Sequence, residues 1–321
     1  MIIGQQKIIS YLQNCLDTGK LGHAYFFAGP EGVGKNTVAI DLAQALVCAS
    51  GKKLGEDCQC QICRQIQQKI WPDFYYVTAE ADKNEITIDQ VRRLINQLSL
   101  SGFQSKNKVA IIDGAELLNQ AAANCLLKTL EEPTKDTLII LVSSRPQMVL
   151  STLKSRCQEI VFNLVVADEI ASGLKMLYNN MTIADCQKLA GNSFGRPGKV
   201  KSLLEAKQIK SKTVLPEAVL ADLQSLAQSD LATRFAYVKK GIDSGRDWQD
   251  LLRQWLLLAR QALLTGLKVE TTAMSAIPVA WQNCSHQELL VKIKLIEKTQ
   301  MMLQQTGLNH RLVLEILMLD L

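Results

Sequence analysis

Apolar positions in the first 163 residues follow two periods in turn. Ile8, Ile9, Leu12 and Leu16 recur at helical spacing, and AYFFAG at residues 24–29 is a short apolar run stopped by glycine. A glycine-rich loop and the helix-like stretch TVAIDLAQALVC come next, so the pattern predicts strand, loop and helix in series. Ile88, Val91, Leu94, Ile95 and Leu98 share one helical face, and KVAIID reads as a buried strand. LLNQAAANCLLKTLEE reads as a second amphipathic helix ended by Pro133, and TLIILVSS as another buried strand. This alternation, which runs to VFN at about residue 163, is the signature of an α/β fold with a parallel sheet between helices.

Strand signals then stop, and the rest of the chain is rich in Leu, Ala, Gln and Lys at helical periodicity. GNSFGRPG at residues 191–198 is a turn cluster joining helices of a small lid. The expected organisation is an α/β domain over 1–163, a helical lid over 164–208 and an all-helical domain over 209–321. In the last stretch, NHRLVLEILMLDL, the residues Leu312, Leu314, Ile316, Leu317 and Leu319 read as a core helix of that third part.

Composition adds exclusions. No apolar run reaches the roughly 18 residues that would span a bilayer, and MIIGQQKIISYLQ lacks the features of a secretory signal, so a cytoplasmic protein with no membrane partner is expected. The formal charge of +5 favours anionic surfaces without supplying a nucleic-acid-binding tract.

Gly29, Pro30, Glu31, Gly32, Val33, Gly34 and Lys35 fit seven positions of the phosphate-loop pattern GxxxxGK[ST]. A strand enters and a helix leaves, so backbone N–H groups face phosphate oxygens while Lys35 adds a point charge. The eighth position is Asn36, not the Ser or Thr whose hydroxyl binds Mg²⁺. Thr37 follows, but about 100° of helical rotation stops it from substituting. Asp113 ends KVAIID where an acidic residue would hold the Mg²⁺ shell. The next residue is Gly114, where hydrolysis needs a carboxylate to orient water, and Glu116 is expected to point elsewhere as the chain turns. The loop therefore leaves room for ATP binding but puts both that binding and Mg²⁺ placement in doubt, and little hydrolysis is expected.

Gly4-Gln5, LGHAYFFAGPEGVGK, WPDF at residues 71–74, AANCLLKTLEEP and STLKSRC together resemble the bacterial clamp loader subunits of DNA polymerase III, which are AAA+ proteins. The resemblance runs along nearly all of the chain. It implies a RecA-like AAA+ domain, a three-helix lid and a helical collar through which subunits oligomerise. It also implies gamma/tau and delta clamp loader subunits, a sliding clamp and primer-template DNA as partners. The family's ATP-hydrolysing gamma/tau subunits carry GKT or GKS and an Asp-Glu pair, and this chain departs at both. Such departures resemble the family's stator, a subunit that supports its neighbours' ATPase. Ser155, Arg156 and Cys157 match the family's SRC motif, whose arginine completes the ATP site of the adjacent subunit. Arg196 matches the approximate place of the lid's sensor-2 residue, and Ser143 or Ser144 that of sensor 1.

Cys48, Cys58, Cys60 and Cys63 are spaced C-x9-C-x-C-x2-C, in an insertion over residues 48–63 that suits a closed tetrahedral Zn²⁺ site. Lys52, Lys53 and Arg64 are placed to offset its negative charge. The family carries a zinc module here, usually with C-x2-C-x2-C. Cysteines one residue apart would point to opposite sides of an extended segment, so a turn is required. Cys15, Cys125, Cys157, Cys186 and Cys284 read as small buried residues. Two other functions remain open: an active gamma/tau-type motor, and a nucleic-acid-binding regulator that keeps the fold as scaffold.

Overall fold

The structure, a computed structural model, describes residues 2–80, 85–178, 181–200, 204, 216–267, 281, 284–303 and 308–319. The chain forms two compact units, Met1–Lys201 and Ser202–Leu321. Among the described residues no helix is long and apolar enough to cross a membrane.

The first unit is built on five parallel strands in the order β2-β3-β4-β1-β5. These are β1 (Ala24–Ala28), β2 (Phe74–Val77), β3 (Lys108–Asp113), β4 (Thr137–Ser143) and β5 (Gln158–Val161). The apolar run of β1 has no polar face because both of its faces are covered. Tyr25 and Phe27 pack with Val109, Ile111, Leu138 and Ile140 under α1 (Gln6–Asp17) and α2 (Lys35–Val47). Phe26 packs with Ala110, Ile112, Ile139 and Leu141 under α4 (Ile88–Ser99) and α5 (Gln120–Glu131). A parallel sheet needs this double cover, and its strands are accordingly near-continuous apolar runs.

Sequence periodicity missed β2 and the short α3 (Gln61–Gln67). β2 is a four-residue edge strand of mixed burial, too short to carry a period. Helix α5 also starts later than its pattern implied, because residues 115–117 form a 3₁₀ turn and Asn119 caps the helix by accepting from Ala122 N. Past β4 come α6 (Ser151–Lys154), β5, α7 (Ala167–Leu177) and α8 (Ile183–Ser193), followed by helical residues 197–200.

Among its described residues the second unit has helices and no strand, with its core around Trp255, Leu252, Val238, Leu314 and Leu317. In His310–Leu319 the buried face is Val313, Leu314, Leu317 and Met318. Leu312, Ile316 and Leu319 are exposed, a correction that follows from helical geometry: five leucine-type residues in eight positions cannot all face one side. Residue 209, where a third domain was expected to begin, lies outside the described residues. Of the scattered cysteines, Cys15 and Cys186 are buried, while Cys125, Cys157 and Cys284 are only partly covered.

Two buried polar residues fasten the start of β3. Asp73 is 2% exposed and accepts from the backbone N–H groups of Phe103, Gln104 and Ser105, each at 2.7 Å. Lys108 is 5% exposed and donates to the carbonyls of Leu98 and Leu100 at the end of α4. Asp73→Ala would strand three donors. It is expected to destabilise the first unit by about 2–4 kcal/mol in urea unfolding, with faster amide exchange at residues 103–105 and a smaller loss for Asp73→Asn.

Candidate functional site

Chemistry in this unit collects where the strands end. Gly29 follows β1, and Gly34 caps α2 with a φ of 101° and no side-chain capping bond, so the first N–H groups of that helix have no side chain of the cap on them. Lys35 is 5% exposed and turns back on its own loop. Its Nζ donates to Gly29 O at 2.7 Å, Pro30 O at 2.6 Å and Ser144 Oγ at 3.2 Å. Burial lowers its pKa, opposed by the charges of Glu116, Asp113 and Glu31. Ser144 is thus the serine that meets the loop, whereas the Ser143 hydroxyl accepts from Arg145 N.

The position expected to hold Mg²⁺ is filled by protein donors. Asn36 Nδ2 donates to Asp113 Oδ2 at 3.0 Å and to the Tyr76 hydroxyl at 2.7 Å, and Tyr76 donates to the same Oδ2 at 2.5 Å. Burial, and then the bond to Asp113, push the Tyr76 hydroxyl pKa upward, which keeps it a donor. Lys69 Nζ lies 3.3 Å from the Tyr76 ring centroid. The amide N–H₂ of Asn36 and the phenol O–H of Tyr76 both face Asp113 Oδ2, while Asn36 Oδ1 is buried without a hydrogen-bond partner, so one oxygen of the carboxylate offered to Mg²⁺ already carries two protein donors. Thr37 is exposed on α2 and does not take the role of Asn36.

Tyr76 was not foreseen. Its partners are 40 and 37 residues away: the pairing of β2 with β3 brings it to Asp113, and the packing of α2 on the sheet brings Asn36.

Glu116 corrects an expectation. The 3₁₀ turn at residues 115–117 aims it back into the site, where Oε1 accepts from Ser144 N at 3.1 Å and Oε2 is buried without a hydrogen-bond partner. Gly114 sits at φ 85°, and a Cβ there would lie 3.0 Å from Leu117 Cδ1. A side chain at that position is strained whatever its chemistry. The lid also reaches the loop: Gly198 N donates to Gly32 O at 2.8 Å. A Cβ on Gly198 would meet the Gly32 carbonyl at 3.1 Å, and one on Gly32 would meet Arg196 Cβ at 3.3 Å. The structure therefore brings Gly29, Gly32, Gly34, Lys35, Asn36, Asp113 and Arg196 into one neighbourhood.

Arg156 lies elsewhere. It precedes β5, an edge strand in which Gln158 pairs with Tyr25, so it is level with the start of β1. The phosphate loop leaves the opposite end, about 17 Å along the strand axis at roughly 3.3 Å per residue. Its Nε donates to Glu131 Oε1 at 2.6 Å, its Nη2 forms an ion pair with the same oxygen, and its Nη1 donates to Thr152 O at 2.9 Å.

The four cysteines do converge, with their sulfur atoms within 4.8 Å of one another. Cys48 Sγ lies 3.7 Å from Cys58 Sγ and 3.8 Å from Cys60 Sγ. Four sulfurs about 2.3 Å from a central Zn²⁺ would be about 3.8 Å apart, so the set fits the ion. The required turn is a helix start: Cys60 caps α3, its sulfur accepts from Cys63 N, and Cys48 closes α2. Burial opposes ionisation of Cys48, but N–H donors from Lys52 and Ser50 and the neighbouring thiols bring its pKa down to about 7, while burial pushes Cys63 up. The Lys52 ammonium pairs with Asp41, so its backbone N–H, not its charge, is what reaches Cys48.

A family model described as DNA polymerase III, delta subunit, matches residues 4–165, just over half of the chain. DNA polymerase III subunit delta' of Bacillus subtilis is 33% identical over 200 residues, which cover 59% of this chain and 60% of that one. The subunit delta' of Pseudomonas aeruginosa is 37% identical over 135 residues, 42% of this chain and 41% of that one. Subunit tau of Escherichia coli is 27% identical over 281 residues, 82% of this chain and 43% of that one. The matched stretches thus span 41–60% of those relatives' own lengths. A gamma subunit-related protein of DNA polymerase III from Thermotoga maritima superposes with a TM-score of 0.52 over 97% of both chains at 18% identity, a likeness of fold alone. On the match to residues 4–165, reinforced by the delta' relatives, the chain belongs to the DNA polymerase III delta subunit family.

Proposed function

We propose that this chain is a clamp loader subunit that works as a stator: it joins gamma/tau and delta subunits to load a sliding clamp on primed DNA and does not hydrolyse ATP itself. The observation that carries the reading is the pair of bonds from Asn36 and Tyr76 to Asp113 Oδ2, which places two protein donors on a carboxylate oxygen that a Mg²⁺ shell would use. Lys35, held by the loop's own carbonyls, supports it, as does Gly114 in a backbone conformation unsuited to glutamate. The curated relatives include both delta' and tau subunits, so support for this reading over the motor one comes from the site and not from the relatives.

Arg156 fits a role in trans. At the far end of the sheet it is out of reach of its own phosphate loop, and a guanidinium suits the charge that develops on a neighbour's γ-phosphoryl oxygens. The cysteine set fits one structural Zn²⁺, held by Cys48, Cys58, Cys60 and Cys63, which would tie the end of α2 to the start of α3. Gln44 reinforces that junction by donating to Cys63 O at 2.8 Å.

The isolated protein is expected to show negligible ATP turnover, since a lost metal contribution by itself is worth roughly 10² or more. Steady hydrolysis at a normal AAA+ rate would overturn the stator reading. Asn36→Thr with Gly114→Glu should not restore it, because the glutamate is strained and Tyr76 still holds Asp113.

Elemental analysis of protein purified without chelator should find one zinc per chain. Cys60→Ser should release it and loosen residues 48–74 while the sheet persists, as read by amide exchange.

Arg156→Ala should leave folding and ring assembly intact, because its ion pair is part-exposed and worth about 1 kcal/mol or less. DNA-stimulated hydrolysis by the reconstituted complex should fall, by about 10³ at the single site this subunit faces. Clamp loading at the wild-type rate by the assembled variant complex would remove Arg156 from the mechanism.

A further inference from the structure

Arg156 is not a loose surface side chain, and the residue that holds it is Glu131. One edge of the guanidinium, Nε and Nη2, converges on Glu131 Oε1, and Nη1 donates to Thr152 O within α6. The carboxylate does nothing for its own helix. Glu131 is the last residue of α5, where the helix dipole is negative and a carboxylate is disfavoured. What it contributes is an anchor for a cation arriving from 25 residues further along the chain. Both side chains stay in contact with solvent, at 34% for Arg156 and 49% for Glu131, so the pair contributes little to stability and is open to a partner.

We propose that Glu131 is a positioning residue for Arg156: it fixes the guanidinium at the edge of the sheet in the orientation from which it meets a neighbouring subunit's nucleotide. The proposal rests on the reading that Arg156 acts in trans. An unrestrained arginine spreads over many rotamers, and the ordering would otherwise have to occur at the moment of reaction. With Nε and one N–H of Nη2 bound to Glu131 and Nη1 bound to Thr152, the plane of the guanidinium is set, and an N–H of Nη2 remains outside these bonds.

The test uses a reconstituted clamp loader in which only the motor subunit facing Arg156 keeps an intact phosphate loop. DNA-stimulated ATPase is measured for Glu131→Ala, Glu131→Gln, Arg156→Ala and the double variant, with urea midpoints to verify folding. Glu131→Ala should lower kcat about threefold to tenfold with the KM for ATP unchanged. Glu131→Gln, which keeps an oxygen acceptor at the same place, should recover part of the loss. In the Arg156→Ala background, Glu131→Ala should change the rate by less than about twofold, since a residue acting through arginine has nothing left to act on.

If Arg156→Ala slows the site but Glu131→Ala does not, the positioning role is wrong and the trans role stands. A Glu131→Ala rate above wild type would make the pair a restraint and overturn the proposal, as would equal losses in the two backgrounds. An Arg156→Ala complex at the wild-type rate would overturn both readings.

Discussion

A parallel sheet buried on both faces leaves chemistry only its two ends. Here the strands β1, β3 and β4 are apolar on each side, with α1 and α2 over one face and α4 and α5 over the other. Polar groups in mid-strand would be stranded without water, so they gather where the chain leaves the sheet. The carboxyl end carries the phosphate loop, Asp113 at the end of β3 and Ser144 just past β4, all within reach of Lys35 or Asn36. The amino end carries Arg156, just ahead of β5. One architectural constraint therefore separates the chain's own loop from the arginine, and a separation of that kind is what action on a neighbour requires.

A part-buried carboxylate has to be satisfied by something. In a hydrolysing relative of this fold a metal ion and its waters would do so, and here two side-chain donors do. Tyr76 and Asn36 share a single oxygen of Asp113, so admitting a cation at that oxygen would mean breaking both bonds, which leaves the phenol without its acceptor and the amide with the Tyr76 hydroxyl alone. Lys35 is likewise satisfied by carbonyls at the loop's own entrance. Together these bonds give Lys35 and one oxygen of Asp113 partners from within the chain. The lid adds to this, since Gly198 and Gly32 approach so closely that neither tolerates a Cβ without movement of the other segment.

The cysteine insertion follows another rule: ligands are placed by helix ends. Cys48 closes α2 and Cys60 opens α3, both positions where backbone N–H or C=O groups lack helical partners. Backbone N–H groups of Ser50, Lys52 and Cys63 turn toward sulfur, which suits thiolates and stabilises the negative charge that a bound Zn²⁺ would share. Because α2 begins at the phosphate loop and ends at Cys48, the insertion grips the far end of the same helix.

How much of this was legible in the chain depends on distance along it. The phosphate loop, its Asn36, the cysteine spacing and the alternation of helix with strand are local patterns, and local patterns survive in a sequence because strand and helix periods and loop glycines act over a few residues. The exceptions were short elements, β2 and α3, which hold too few residues to show a period. What only the tertiary structure decided are the partnerships across long separations. Tyr76 reaches Asp113 through strand pairing, Glu116 turns back onto Ser144, and Glu131 meets Arg156. None has a local signature, because a hydrogen bond is selective only once the sheet has set the distance and removed the water. The sequence named the phosphate loop, Asp113, Arg156 and the cysteines, and the packing of the strands brought in the partners it did not name, Tyr76 and Glu131.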